Sequence, residues 1–292
     1  MSLLLFLGPT VVGLFLDNLT PPQGNSPYEP PTGSNPTTRT IPAPTGLPPL
    51  PDPATVEQRR TYLFSNALYA QTLSGQVDCT VGVDLVRVTD TDLEAYLNDF
   101  VGCLMEAWSG PVAAAGFELP RPTVTVYTEP ITTRCGKSET ENAFYCGADQ
   151  QLYLAYDLLS FFPRLQDARF MVESIISHEF GHAVQARTGI LLAEYHYEDE
   201  SPTTEEADQW SRRTELQADC FAGLSLRSMA AATGLDDTDA ANITQLFTLL
   251  GDTGLGGDHG QPSSRTRWIN AGLASDTPNQ CQTFSAAANE VE

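Results

Sequence analysis

The sequence predicts an α+β fold in which helices dominate and a small sheet lies between them. Three observations lead there. Two long stretches with helical apolar spacing, 166–188 and 205–233, are each closed by a glycine, Gly189 and Gly234. Two short runs, 122–128 and 151–157, alternate β-branched or aromatic residues with polar ones and read as strands. The chain has 292 residues, 41% of them hydrophobic, which is enough for one sizeable core.

The elements follow in chain order. Residues 1–20 read as a truncated signal or membrane-anchor segment. The apolar run from Ser2 to Leu16 suits a signal core, but falls short of the roughly 20 residues of a bilayer span and lacks a basic leader. Residues 21–53 are rich in Pro, Thr, Gly, Ser and Asn, and read as an extended, disordered linker with polyproline character. Residues 54–292 form the globular domain. Within it, 56–74 reads as a helix stopped by Gly75, and 93–108 as a second helix capped by Thr91 or Asp92. The first strand follows Pro122. The stretch from Cys135 to Cys146 reads as a polar, turn-rich loop. After the second strand and the 166–188 helix comes an acidic loop to about Thr204, then the 205–233 helix. A shorter helix over 239–250, a Gly-rich turn over 251–260 and a last helix over 264–274 complete the chain.

The charge is lopsided: 37 Asp and Glu against 15 Lys and Arg, a formal net charge of −22. Such a surface repels phosphates, so nucleic acid is not a partner, and anionic lipid is disfavoured. Six cysteines without a Cys-x-x-Cys pair argue against a zinc ribbon and for disulfides in an oxidising compartment. Of the 15 connectivities open to six cysteines, the expected one pairs Cys135 with Cys146 as a short local loop, Cys79 with Cys103, and Cys220 with Cys281.

The chemistry concentrates in His178-Glu179-Phe180-Gly181-His182. Residues four apart share a helix face, so His178 and His182 can hold one zinc ion, with Glu179 beside the open position as base for a bound water. Val172, Ile176, Phe180, Ala183 and Val184 make an apolar stripe opposite the histidines, so the helix buries one side and aims the other at a cleft. Gly181 leaves room near the metal. Catalytic zinc takes three protein ligands. In Thr214-Glu215-Leu216-Gln217-Ala218-Asp219-Cys220, Glu215 is the third, and Asp219 one turn on can accept the free ring N–H of His178. Gln185, on the histidine face, lines the cleft or bonds a neighbouring backbone. His259, Tyr195, His196, Tyr197 and Arg265 are candidates for stabilising the oxyanion of peptide hydrolysis. Strand 123–128 or 151–155 is available to pair with an extended substrate.

These motifs resemble the bacterial "putative neutral zinc metallopeptidase" family. The resemblance rests on the 178–185 and 215–223 segments, on Phe144-Tyr145-Cys146-Gly147-Ala148-Asp149, on His259-Gly260 with Arg265 and Trp268, and on the closing Cys281-Gln282-Thr283-Phe284. It covers roughly residues 56–285. It implies a zincin-like domain with one catalytic Zn2+ held by His178, His182 and Glu215, and it singles out His259 among the oxyanion candidates. Asn142-Ala143 stands where the family usually has Gly-Pro, and Gly147 where Pro is common. The reading that follows is an extracytoplasmic zinc metallopeptidase, secreted or membrane-anchored, acting on a peptide or protein substrate. The N-terminal segment would carry any membrane or cell-wall association. Two competitors share the motifs: a catalytically silent zinc-binding scaffold or chaperone, and a zinc amidase acting on the cell wall. Nothing in the sequence bears on oligomeric state.

Overall fold

A computed structural model describes residues 39–42, 44–85, 87–162, 165, 168–252 and 257–292. The segment read as signal or anchor lies outside the described residues, as does the linker up to residue 38. The rest of that linker is held against the domain. Arg39–Thr40 (β1) pairs in parallel with Ile131–Thr133 (β3). Arg187 donates to the carbonyls of Pro48 and Pro49, each at 3.1 Å. Backbone oxygens that a proline-rich strand leaves free thus find a buried guanidinium.

The architecture is α+β, with helices dominant and two three-stranded sheets in place of the single small one expected. Helix α1, Val56–Phe64, ends early at Ser65, whose backbone leaves the helical region (φ −145°, ψ 36°), and a 3-10 turn, Ala67–Ala70, carries the chain on. Helix α2, Asp90–Ala114, starts on Thr89 rather than Thr91 or Asp92 and runs past Ser109-Gly110-Pro111. Trp108 and Val112 are buried on that last turn, and their burial offsets the helix-breaking tendency of Pro111. The stretch read as a loop between Cys135 and Cys146 is a hairpin, β3 with Gly136–Ser138 (β4), followed by Ala143–Cys146 (β5). Strands of three and four residues are too short for alternation to mark them.

The second sheet has the order β2-β6-β5, with Val124–Tyr127 (β2) parallel and β5 antiparallel to the central Gln151–Ala155 (β6). Helix α3, Met171–Arg187, begins at Phe170, later than expected, in a left-handed conformation with φ 68°. It packs on this sheet and on α5, Thr204–Ser228. Between them Ile190–Asp199, read as an acidic loop, is a helix, α4, seated through Ile190, Leu191 and Ala193. A short α6, Ala230–Thr233, ends at Gly234 in the left-handed region. Then come α7, Asp237–Leu249, with an Asp236 capping box, and α8, Pro262–Leu273.

Two close helix approaches set the site. A Cβ on Gly181 of α3 would lie 3.2 Å from the Cα and O of Ala218 on α5, so this glycine makes room for α5 rather than for a metal. A Cβ on Gly272 of α8 would lie 2.0 Å from the Cys220 carbonyl oxygen, so α8 crosses α5 at backbone contact. The expected disulfides, Cys79–Cys103, Cys135–Cys146 and Cys220–Cys281, are all formed. The last ties α5 to the C-terminal turns, one residue beyond Asp219. Three disulfides point to an oxidising, extracytoplasmic compartment. Among the described residues no helix is long and apolar enough to cross a membrane.

A candidate metal centre between two buried helices

The helix expected to be half-buried is buried along its whole length: every residue from Met171 to Arg187 is inside. Its polar residues are therefore obliged to find partners within the protein. Those partners build the site.

Asp219 on α5 receives two hydrogen bonds from Arg265 on α8, Nε to Oδ2 at 2.8 Å and Nη2 to Oδ1 at 2.6 Å. Burial opposes its charge, but Arg265 and His178 outweigh burial and hold the carboxyl below its ordinary range. It is a carboxylate, so at 2.8 Å from Oδ1 the His178 Nδ1 must donate. The Gln185 amide is oriented the same way. Its Nε2 donates to the Thr214 carbonyl at 2.8 Å and to Gln217 Oε1 at 3.1 Å. Its Oε1 therefore faces His182 Nδ1, 2.8 Å away, and that nitrogen also donates. With both protons on Nδ1, both Nε2 atoms present lone pairs.

Those lone pairs face each other. The two Nε2 atoms are 3.2 Å apart. Glu215 reaches both, with Oε2 at 3.2 Å from His178 Nε2 and Oε1 at 3.3 Å from His182 Nε2. Three acceptors in mutual contact, each residue about 7% exposed, repel unless positive charge lies among them. The same demand shows in the protonation: burial would depress His178, yet Asp219 and Glu215 push it up to about 10. Glu215 is held well below the ordinary carboxylate range by His182 and His178, against the opposing effect of burial. Two imidazoles and one carboxylate are the donor set of a catalytic zinc, and tetrahedral ligands at about 2.0–2.1 Å stand roughly 3.3 Å from one another. The residues fit that ion.

Glu179 lies beside this cluster, and its Oε2 accepts the Tyr145 main-chain N–H of β5 at 2.9 Å. Burial pushes its carboxyl above the ordinary range, against the pull of His178, His182 and that amide. His259 is buried, unlike a loop histidine facing solvent, and its field acts on Glu215. Arg265, weighed as an oxyanion stabiliser, is instead the counter-ion of Asp219. His196 lies 3.0 Å from Asp52, Tyr197 stacks on Trp210, and Tyr195 packs at the edge of His196.

Three neighbours escaped the sequence reading. Gln217 links Gln185 to Tyr69 and to the Cys281 carbonyl, each at 2.9 Å. Thr214 offers the carbonyl that orients Gln185. Glu194 on α4 is buried, and burial with the fields of Glu198 and Glu215 drives its carboxyl well above the ordinary range. Gln217 stands two residues from Glu215, a spacing that turns it to another side of the helix, so no pattern around the metal motif pointed to it.

Comparison with known proteins identifies the family. The profile of the family described as "putative neutral zinc metallopeptidase" matches residues 74–284. The chain is 30% identical over 196 residues to the uncharacterized protein YpfJ of Escherichia coli (strain K12), covering 61% of this chain and 67% of that one. It is 30% identical over 225 residues to the uncharacterized protein Rv2575 of Mycobacterium tuberculosis (strain ATCC 25618 / H37Rv), covering 66% and 74% respectively. No solved structure matches.

Proposed function

The chain belongs to the "putative neutral zinc metallopeptidase" family, and from that premise we propose that it is a zinc-dependent peptidase with a zincin-like domain. His178, His182 and Glu215 hold the metal, and Glu179 is the general base. One observation carries the reading: two imidazole lone pairs and a carboxylate converge within 3.3 Å of one another, and buried partners fix the tautomers that make them lone pairs.

Zinc bound there supplies a Lewis acid that lowers the pKa of water and polarises a carbonyl. The protein residues do the rest. Asp219 and Gln185 hold the imidazoles in orientation. Arg265 keeps Asp219 ionised. Glu179, its basicity raised by burial, takes the proton from the attacking water and passes it to the leaving amine. His259 is the residue we assign to the oxyanion.

The sheet edges bear on where a substrate lies. Strand β6, one of the two expected to pair with substrate, is central and has both sides occupied. The other, β2, is sealed by α2: Asn98 bonds both the N–H and the C=O of Val124, and Glu94 takes the Val126 N–H. The remaining edge is β5. The Asn142 and Cys146 carbonyls point to the β6 side, so by alternation Ala143 and Tyr145 turn their peptide groups outward, and the Tyr145 N–H meets Glu179. An extended peptide pairing along β5 would run past the base and take over the Tyr145 N–H that Glu179 now accepts.

The test is cleavage of a mixed peptide library by the full chain and by Glu179→Gln, each with bound zinc. Cleavage by the native protein alone supports the reading. Equal cleavage by both overturns the assignment of the base. Zinc without cleavage in either returns the chain to a scaffold or to a hydrolase of non-peptide amides.

A further inference from the structure

Beside the metal centre, in the turn that follows α7, a second cluster has no part in the mechanism beyond the His259 ring. Asp252 is fixed there by the backbone. Its Oδ2 accepts the N–H of His259 at 2.9 Å and of Gly260 at 2.8 Å, and its own N–H bonds the Gly260 carbonyl at 2.9 Å. The turn closes tightly enough to need glycine. Gly257 has φ 127°, and a Cβ there would fall 2.4 Å from the Asp252 carboxyl. With Oδ2 committed twice, Oδ1 is left over. It lies 3.8 Å from His259 Nδ1, while Asp258 Oδ1 lies 2.6 Å from the same nitrogen. Ligand atoms from the three residues all fall within 4.8 Å of one another.

The ring nitrogen is the second, independent observation. His259 is 6% exposed. Among the described residues its Nδ1 has no hydrogen-bond partner of acceptable geometry, although Asp258 is so near. The oxygen sits beside the ring axis and not along it. An unmet buried nitrogen costs about 1–3 kcal/mol, and its position among carboxylates calls for something other than an N–H bond. The surroundings favour a cation too. Burial and the fields of Asp258 and Asp208 raise Glu198, and burial with Asp258, Glu205 and Asp252 raises Asp208 against the pull of Arg212. Burial and Arg265 act against charge on the His259 ring, but Asp258 and Glu215 outweigh them and raise its pKa, so this nitrogen too draws positive charge. Asp258 is 42% exposed and gives an ion a way in from solvent.

We propose that Asp252, Asp258 and His259 form a second divalent-cation site, distinct from the His178–His182–Glu215 centre. One imidazole nitrogen with two carboxylates suits an ion of the Mn2+ or Zn2+ class, with water completing its shell. The ion ties the turn to the ring. Bound at Nδ1, it leaves the ring proton on Nε2, which makes His259 a fixed donor on its other side. The site stands whether or not the neighbouring centre is catalytic.

The experiment counts metal on the full chain. The protein is stripped with chelator and titrated with Mn2+ and then Zn2+, and bound metal is read by mass spectrometry and affinity by calorimetry. The native chain, Asp258→Asn and Glu215→Ala are compared. The native chain should bind two ions. Asp258→Asn should keep one and weaken the other at least tenfold, and Glu215→Ala should lose the complementary one. In the Glu215→Ala background Mn2+ should still raise the melting temperature, and that rise should vanish when Asp258→Asn is added. Asp258 is 42% exposed, against 15% for Asp252, whose Oδ2 also holds two backbone N–H groups, so Asp258→Asn disturbs the fold less than Asp252→Asn would. A native stoichiometry of one that Asp258→Asn leaves unchanged overturns the proposal, as do two ions that are both indifferent to Asp258→Asn. A single ion lost in Asp258→Asn and kept in Glu215→Ala upholds this site and sinks the His178–His182–Glu215 assignment instead.

Discussion

The two edges of the β2-β6-β5 sheet meet different neighbours. On the β2 side, Asn98 and Glu94 of α2 take up the backbone groups of Val124 and Val126, leaving that edge closed to further pairing. On the β5 side the Tyr145 N–H is answered by Glu179, a carboxylate beside three convergent metal-type ligands. Both arrangements satisfy a strand edge with a side chain from a helix. The difference is that the Glu94 carboxylate serves the strand, while the Glu179 carboxylate also sits in the field of two histidines. One edge is structure; the other is proposed as the place of reaction.

Replacing edge amides tests that division. Proline at Tyr145 removes an N–H that points away from β6, so the ladder survives. Tyr145→Pro should lower kcat about 100-fold, the scale of one misplaced catalytic group. It should also move the acid limb of the pH–rate profile upward. The Tyr145 amide is among the groups holding Glu179 down, so its loss raises the carboxyl, and the base is protonated at higher pH. An unchanged profile would break the comparison. Asp219→Asn disturbs the centre while leaving both edges alone, and should weaken zinc binding about 10–100-fold, read by competition with a chromogenic chelator. Asn98→Ala opens the sealed edge. It should cost about 1–3 kcal/mol in denaturant unfolding, because the Val124 groups lose their partner, with KM unchanged. Glu94→Ala removes a single bond to Val126 and should cost about 1 kcal/mol. Joined with Asn98→Ala, it should promote edge-to-edge association, read by light scattering.

How much of this was legible in the sequence differs between the same regions. Helices α3 and α5 were plain because their apolar spacing is long and Gly189 closes the first, but the helix expected to run to Gly234 ends at Ser228, and that glycine closes the separate turn of α6. His178, His182, Glu215 and Asp219 were legible because a four-residue step on a helix fixes relative position without knowledge of the fold. What answers them was not. Arg265 comes from α8, 46 residues beyond Asp219, and reaches it only because Gly223 and Gly272 let α8 and α5 touch. Ser174, Ser177 and Gln185 look like an exposed helix face, yet all three are buried, Gln185 against Thr214 and Gln217 of α5, and the hydrophobic pattern understates how deep the helix lies. Helix α4 was read as a loop because Glu194, Tyr195, His196, Glu198 and Asp199 are polar. Its burial rests on three apolar residues and on Glu194, whose place inside the protein no composition would foretell. Strands β3, β4 and β5 escaped because pairing partners, not alternation, define strands that short.

The central claim is that metal and Glu179 act together at one buried point. The most direct test follows cleavage of a single susceptible peptide as Zn2+ is returned to chelator-stripped protein, native and Glu179→Gln side by side. The account predicts no cleavage by either stripped protein, recovery in the native chain alone, and uptake of zinc by both. Cleavage that persists without metal, or that returns equally in Glu179→Gln, would contradict it.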